Sequence, residues 1–300
     1  MKVAIIGGTG FVGSYLVEAL LEAGHEPALL VRQGSESKVV RAEDCRIVPG
    51  DVTDEAAVRG VLEGADAAIF NIGILRAFPS KGITFEALQR DAAIAVIDAM
   101  KATQVPRLLL MSAAGVRRPG TRYQETKLAA EDYAWQSGLD VTVFRPSVIF
   151  GDPRGRMEFA TQLYQQMVRP PLPAVRFVAG GRDVMMSPVS VNDVAACFVA
   201  ALEDPETIGK TFELGGPEAL SWGEMIRRIA DARGRHKSMI SMPIGFMKFG
   251  ATLFDWLPFF PATRDQLTML AEGNVVAPDD CETLLGRPPV AFDKQRLSYL

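Results

Sequence analysis

Residues 2–13 read Lys2-Val3-Ala4-Ile5-Ile6-Gly7-Gly8-Thr9-Gly10-Phe11-Val12-Gly13. Residues 3–6 are an apolar, β-rich run, and a helical period starts at Phe11 and continues to Glu22. Between them, Gly7, Gly10 and Gly13 recur at every third position. Glycines at this spacing permit a tight turn, close approach of backbone to a phosphate group, and close packing of helix on strand. The first helical turn then offers unpaired N–H groups and the positive end of its dipole to an anion. A glycine triplet alone is weak evidence. Set between a strand and a helix, it points to a pyrophosphate cradle made by Gly7, Thr9, Gly10, Phe11, Val12 and Gly13.

The first half of the chain repeats this alternation. Strand candidates at 27–31, 45–48, 67–71, 107–112 and 141–145 are separated by helical periods at 55–63, 84–103 and 121–137. Several of the strands are continuous apolar runs, as in sheets covered by helices on both faces. The pattern predicts an α/β fold of the Rossmann type, a doubly wound parallel sheet, over residues 1–150. After Gly151 the alternation stops, and Pro170-Pro171-Leu172-Pro173 breaks the chain. Residues 151–300 read as a smaller, mostly helical substrate-binding part that interleaves with the first. Its helices are expected at 192–202, 221–233, 245–256 and 264–272, with a short strand at 210–214. This part is expected to fold over the carboxyl ends of the sheet strands, where open α/β sheets bind ligands.

The end of the second strand selects the nucleotide. An acid there would bond the ribose 2′-hydroxyl of NAD. The chain instead reads Leu30-Val31-Arg32-Gln33-Gly34-Ser35, with no acid before Glu36. A guanidinium fork matches the oxygens of a 2′-phosphate, so NADP(H) is favoured over NAD(H). Asp51 and Val52 after the third strand are expected near the adenine, or else as ordinary turn residues. Asn71 and Gly73 at the end of the fourth are expected beside the adenosine ribose, or else as ordinary turn residues.

Tyr123-Gln124-Glu125-Thr126-Lys127 sets a phenol and an ammonium four residues apart, on one helical face. The lysine charge is expected to lower the tyrosine pKa and make the phenol a usable acid/base. Together with the glycine run, these residues resemble the short-chain dehydrogenase/reductase superfamily in its extended form. Arg145-Pro146-Ser147-Val148-Ile149-Phe150-Gly151 is similar to the family's segment beside the nicotinamide, which implies cofactor contacts for Pro146 and Val148. Val189-Ser190-Val191-Asn192-Asp193-Val194 and Phe212-Glu213-Leu214-Gly215-Gly216 extend the likeness over nearly the whole chain. The resemblance implies catalytic roles for Tyr123, Lys127 and a serine ending the fifth strand, with Lys127 and Ser112 also lining the cofactor.

Two features depart from the family. The fifth strand runs Leu110-Met111-Ser112-Ala113-Ala114, and alignment puts Ala113 in the catalytic serine slot. A one-residue slip would put Ser112 there, since neighbouring strand residues face opposite ways. The family's helix asparagine is missing from 84–103. The pattern resembles an atypical group that contains the NADPH-binding accessory subunit of respiratory complex I and its bacterial relatives. The mitochondrial members of that group are thought to hold NADPH mainly as a structural ligand.

Two functions therefore stand beside each other. One is an oxidoreductase or epimerase acting on a small or apolar carbonyl or quinone-like compound. The other is a non-catalytic NADP(H)-binding protein, structural or redox-sensing, that acts through a partner complex. Composition excludes other classes. With a net charge of −4 and a pI near 5.4 the chain is not one that neutralises nucleic acid backbones. Cys45, Cys197 and Cys281 are odd in number and show no metal-ligand spacing, so no metal site is expected. A strand entered at residue 2 leaves no room for a signal peptide, and no apolar run reaches the ~20 residues of a spanning helix. The cytoplasm is the expected compartment, with an inner-membrane periphery as the variant. The variant rests on the apolar stretch 242–260, which reads as a buried helix, a lid, or a surface for a protein or membrane. His25 and His236 have no nucleophile or metal motif and read as surface residues.

Overall fold

The computed structural model describes residues 1–247 and 263–300. Its main sheet uses seven strands: β1 (Lys2–Ile6), β2 (Glu26–Val31), β3 (Arg46–Pro49), β4 (Ala67–Phe70), β5 (Arg107–Met111), β6 (Asp140–Pro146) and, later in the chain, β12 (Thr211–Leu214). Their order is β12-β6-β5-β4-β1-β2-β3. The pairs β1/β2, β2/β3, β1/β4, β4/β5 and β5/β6 are all parallel. Between β1 and β4 the chain changes its direction of travel across the sheet. Such a switch point opens a crevice at the carboxyl ends of the strands.

The helices follow from the apolar spacing. Helix α1 (Phe11–Glu22) has the expected bounds, followed by α2 (Glu55–Leu62), α3 (Ala92–Ala102), α4 (Arg122–Trp135) and α6 (Val191–Glu203). Ala4 and Ile6 of β1, Ala68 and Phe70 of β4 and Val143 of β6 share one core with residues of α2, α3 and α4. Strand residues alternate, so Phe144 points to the other face, where its ring stacks on Phe198 of α6 with centroids 4.0 Å apart. At the amino end of the sheet, buried Arg107 ties β5 and β6 to α6. It donates to Asp140 O, Thr142 Oγ1, Ala201 O and Thr207 Oγ1 at 2.8–3.0 Å.

The chain divides into two compact units, residues 1–145 with 192–212, and residues 146–191 with 213–300. The second unit holds more strand than its sequence suggested. Besides α5 (Phe159–Leu163) and α7 (Trp222–Ala232), it contains short strands β7 (Ile149–Phe150), β10 (Met185–Met186), β11 (Val189–Ser190) and β13 (Leu220–Ser221). It also contains a three-stranded sheet of β8 (Ala174–Ala179), β9 (Arg182–Asp183) and β14 (Met239–Pro243), ordered β14-β8-β9. The unit also has helices at Arg264–Glu272 and Asp279–Leu285, and a core that includes Phe150, Phe177, Trp222, Ile226 and Phe292.

Two expectations need correction. The period over 84–103 is not one regular helix: Glu86–Asp91 winds as a π-helical turn before α3. His25 is buried rather than at the surface, its ring held between the Met1 amine and, at 3.2 Å, Glu203. The expected helix at 245–256 is described only in its first residues, 245–247, which are helical; residues 248–256 of it, and 248–260 of the apolar stretch, lie outside the described residues. Among the described residues, no helix is long and apolar enough to cross a membrane.

Candidate functional site

The glycine turn sits at the switch point, and its glycines have different tasks. Gly7 has φ +100°, and a Cβ there would lie 2.8 Å from the carbonyl oxygen of Asn71. A Cβ on Gly13 would stand 2.2 Å from Gly7 O and 2.8 Å from Gly8. These two positions are glycine because backbone packs on backbone. Gly10 is unlike them. It is exposed, its backbone is extended (φ −72°, ψ 179°), and a Cβ would meet only Gly7 O, at 3.3 Å. Among the described residues, none fills the space that its missing side chain leaves.

Gly10 is also the N-cap of α1, where no side chain caps the helix and no acid occupies the first turn. The Ser14 hydroxyl bonds back to Phe11 O at 2.8 Å. Thr9, Phe11 and Val12 stand half-exposed around this end. An uncapped helix start beside an exposed glycine fits a pyrophosphate.

Arg32 follows the last residue of β2, is exposed, and forms no ion pair among the described residues. The first acid beyond it, Glu36, accepts from Gly34 N at 3.1 Å and so serves its own turn. Asp51 is likewise engaged, accepting from Thr53 N and Thr53 Oγ1 at 3.0 and 2.9 Å. The Val52 side chain is buried in the first unit's core. Asn71 N bonds Ile6 O at 2.9 Å, which holds the ends of β1 and β4 together. A Cβ on Gly73 would come within 3.5 Å of Lys127 Nζ, so the turn after β4 passes directly beside that ammonium.

Helix α4 carries the acid/base pair. Its start is fixed by a capping box: Gln124 N donates to Thr121 Oγ1 at 3.3 Å, and Thr121 N to Gln124 Oε1 at 2.8 Å. Lys127 is buried, and its Nζ donates to Ile72 O (2.9 Å) and Met111 O (2.8 Å), beyond β4 and at the end of β5. The half-buried Tyr123 ring meets Phe85 edge-on with centroids 6.0 Å apart. Beside them the amide of buried Gln89 donates to Ile74 O and accepts from Thr126 Oγ1, each at 2.9 Å.

Burial moves the two titrating groups in opposite directions. The phenol of Tyr123 is pushed up to about 12 by loss of solvent, contrary to the expected lowering by Lys127. Lys127 is pushed down to about 8 by burial, with Glu131 opposing that change.

The structure turns Ser112 away from the role the family resemblance implied. Its N bonds Phe144 O at 2.7 Å, and its hydroxyl donates to the buried carboxylate of Glu131. Glu131 in turn receives Arg145 Nε at 3.0 Å and Nη2 at 2.6 Å. The alternation of strand side chains accounts for this: Ser112 faces Glu131, and the half-exposed neighbour with the opposite facing is Ala113, which has no hydroxyl. Pro146 ends β6, and Val148 packs against the core of the second unit. The expected residues brought together are thus Tyr123, Lys127 and Gly73. Sequence reasoning missed Gln89 and Glu131; a polar residue on a helix gives no local sign that it is buried.

A family model described as NAD(P)H-binding matches residues 7–205. A ceramide reductase of Caulobacter vibrioides is 30% identical over 258 residues, 85% of this chain and 78% of that protein. The mitochondrial NADH dehydrogenase ubiquinone 1 alpha subcomplex subunit 9 of Arabidopsis thaliana is 28% identical over 289 residues, 92% of this chain and 69% of that one. Among solved structures, the UDP-glucose 4-epimerase of Thermus thermophilus, in complex with NAD, superposes with a TM-score of 0.76 at 19% identity. The match covers 100% of this chain and 97% of that one, and shows the shared fold. With its switch-point glycine cradle and its Tyr123–Lys127 pair, the chain belongs to the NAD(P)H-binding family, as an atypical, epimerase-like short-chain dehydrogenase/reductase.

Proposed function

We propose that the protein is an NADPH-dependent reductase of an apolar carbonyl compound. The observation that carries this reading is the placement of Tyr123 and Lys127. One face of α4 presents both, with the Lys127 ammonium seated on the carbonyls of Ile72 and Met111. Bound NADPH would supply the hydride, held at Gly7, Gly10, Gly13 and the first turn of α1, with Arg32 toward its 2′-phosphate. Tyr123 keeps its proton far above neutral pH and hands it to the carbonyl oxygen as negative charge develops there. Its hydroxyl has no hydrogen-bond partner among the described residues, so it is free to meet a substrate oxygen. Lys127 supplies a fixed positive charge one helical turn away. The related ceramide reductase supports a lipid-like substrate class.

A second reading rests on Ser112. With its hydroxyl committed to Glu131, no serine supports the substrate oxygen, and the nucleotide could serve as a structural ligand in a protein complex. The relative named as a subunit of mitochondrial NADH dehydrogenase favours a protein partner in that case.

NADPH oxidation across aldehydes, ketones, quinones and long-chain keto lipids, run on wild type and Tyr123→Phe, separates the two. The reductase reading expects turnover in wild type and a loss of about 10²–10⁴-fold in the variant, with NADPH affinity within a few-fold. Equal turnover in both would remove Tyr123 from the chemistry. No turnover in either, with NADPH bound by both, would favour the structural role.

A further inference from the structure

Glu131 is 1% exposed, yet it is a carboxylate. Burying such a charge is costly unless it is paired and hydrogen-bonded. Three bonds offset that cost, two from Arg145 and one from the Ser112 hydroxyl. They hold the carboxylate one helical turn beyond Lys127, where residues four apart lie on the same face.

Lys127 needs such a neighbour. Its ammonium touches two neutral carbonyls, and no carboxylate pairs with it directly among the described residues. The charged and titrating groups around α4 are few. Tyr123 and Glu131 share the face of Lys127, and Arg145 approaches from β6 and faces Glu131. From the elements packed on α4, Glu86 faces Arg122, Asp91 pairs with Arg90, and Asp98 faces Tyr133 and Lys101, while on α4 itself Asp132 pairs with Arg118 and Glu125 accepts from Gly120 N. Glu131 is therefore the negative charge that acts on Lys127.

We propose that Glu131, clamped by Arg145 and Ser112, is a positioning residue of this site, whose carboxylate keeps the Lys127 ammonium charged and seated at the ends of β4 and β5. The proposal rests on the reductase reading only in assigning that ammonium to the nucleotide site. Ser112 then has a task here other than substrate contact: it fixes the carboxylate that fixes the lysine.

The test follows the Lys127 Cε resonance by NMR in protein with 13C-labelled lysine, assigned with Lys127→Arg, from pH 6.5 to 10. In parallel, NADPH affinity is measured by calorimetric titration from pH 7 to 9.5. In wild type the ammonium loses its proton near pH 8, and affinity falls through the same range. In Glu131→Gln the midpoint should drop by about 1 in pH, and affinity should begin to fall correspondingly earlier. Glu131→Asp, which keeps the charge, should recover most of the wild-type midpoint. Glu131→Gln leaves the Arg145 guanidinium unpaired and could fail to fold. Glu131→Gln/Arg145→Gln removes both charges and, because the Arg145 charge no longer opposes the ammonium, should show a smaller drop in the same direction. An unchanged Lys127 midpoint in either folded variant overturns the proposal and leaves Glu131 as a core staple. A shifted midpoint without a shifted affinity profile also overturns it. If wild type binds no NADPH at any pH, the reductase reading fails, while the NMR result still decides the coupling of Glu131 to Lys127.

Discussion

Replacing Gly10 by Val separates what the glycine turn does for the fold from what it does for the nucleotide. The Gly10 backbone is extended, at φ −72°, a conformation that any L-residue adopts. The added Cβ meets one atom, Gly7 O at 3.3 Å, so a shift of a few tenths of an ångström accommodates it. Loss of a favourable N-cap residue costs about 1 kcal/mol. For a chain of this size that is a fall in Tm of about 2–4 °C. The methyl groups, however, would stand over the uncapped first turn of α1, where the pyrophosphate must approach. Two charge-assisted bonds lost at about 1.5–3 kcal/mol each amount to roughly 10²–10⁴-fold in NADPH affinity. Gly13→Ala is the counter-case. Its Cβ would lie 2.2 Å from Gly7 O and 2.8 Å from Gly8, backbone that cannot yield unless α1 leaves β1. Overpacking of that kind costs about 3 kcal/mol or more, so Tm should drop by about 6–12 °C. Thermal melts with and without NADPH, joined to calorimetric titration, read both effects. NADPH at a hundred times Kd should raise wild-type stability by about 2.7 kcal/mol and Gly10→Val scarcely at all. A Gly10→Val protein that binds NADPH within threefold of wild type would refute the cradle. One that melts as early as Gly13→Ala would refute the division of labour between the glycines.

Two further outcomes follow from single side chains. If Arg32 meets a 2′-phosphate, wild type should bind NADPH more tightly than NADH, and Arg32→Asp should erase or invert a preference of about ten- to a hundred-fold; equal wild-type titrations would discard the assignment. Lys127, pushed down from 10.5 to about 8, binds fewer protons in the folded than in the unfolded chain between those values. Stability of the nucleotide-free protein should therefore rise with pH across that window, by up to about 3 kcal/mol, relative to Lys127→Met. Urea unfolding at pH 7.5 and 9.5 measures this. Tyr123, pushed up to about 12, reverses the trend above pH 10, so identical pH slopes below 10 in the two proteins would contradict the burial of a charged lysine.

What the sequence revealed and what it hid divide along one physical line. Local patterns were legible. Helix Phe11–Glu22 and helix Arg264–Glu272 emerged with the expected bounds, the second behind a Thr263/Gln266 capping box. The buried strands β1, β4 and β5 announced themselves as continuous apolar runs. Relations between distant segments were not legible. Strand β14 pairs in parallel with β8, Met239 beside Ala174, yet Met-Ile-Ser-Met-Pro carries no alternation that marks it as a strand. The π-helical turn at Glu86–Asp91 turns Gln89 toward Thr126, and nothing in Glu-Ala-Leu-Gln-Arg-Asp signals an extra residue in the turn. The facing of Ser112 hung on a one-residue register that only its contact with Glu131 reveals. Glu131 itself reads as half of a solvated Lys127–Glu131 helix pair. Its burial depends on Arg145, fourteen residues on and in another element.

Burial acts on Tyr123 and Lys127 with opposite signs, and both signs suit proton donation in the proposed role. A phenol pushed up to about 12 is ionised to roughly one part in 10⁵ at pH 7, so the resting site holds an acid and almost no base. An alkoxide forming on a reduced carbonyl is more basic than a phenolate, and proton transfer to it runs downhill. Oxidation of an alcohol would require the rare phenolate at the outset. Lys127 can narrow that asymmetry only while it is charged, because its attraction for the phenolate ends when its own proton leaves, near pH 8. The pair therefore shuts down from the lysine side before the tyrosine begins to ionise. An unaided Tyr123 would remain an acid across the whole physiological range. In the proposed role, the proton that burial keeps on Tyr123 suits the site to donate to a reduced carbonyl, and the Lys127 charge beside it is the one that Glu131 supports.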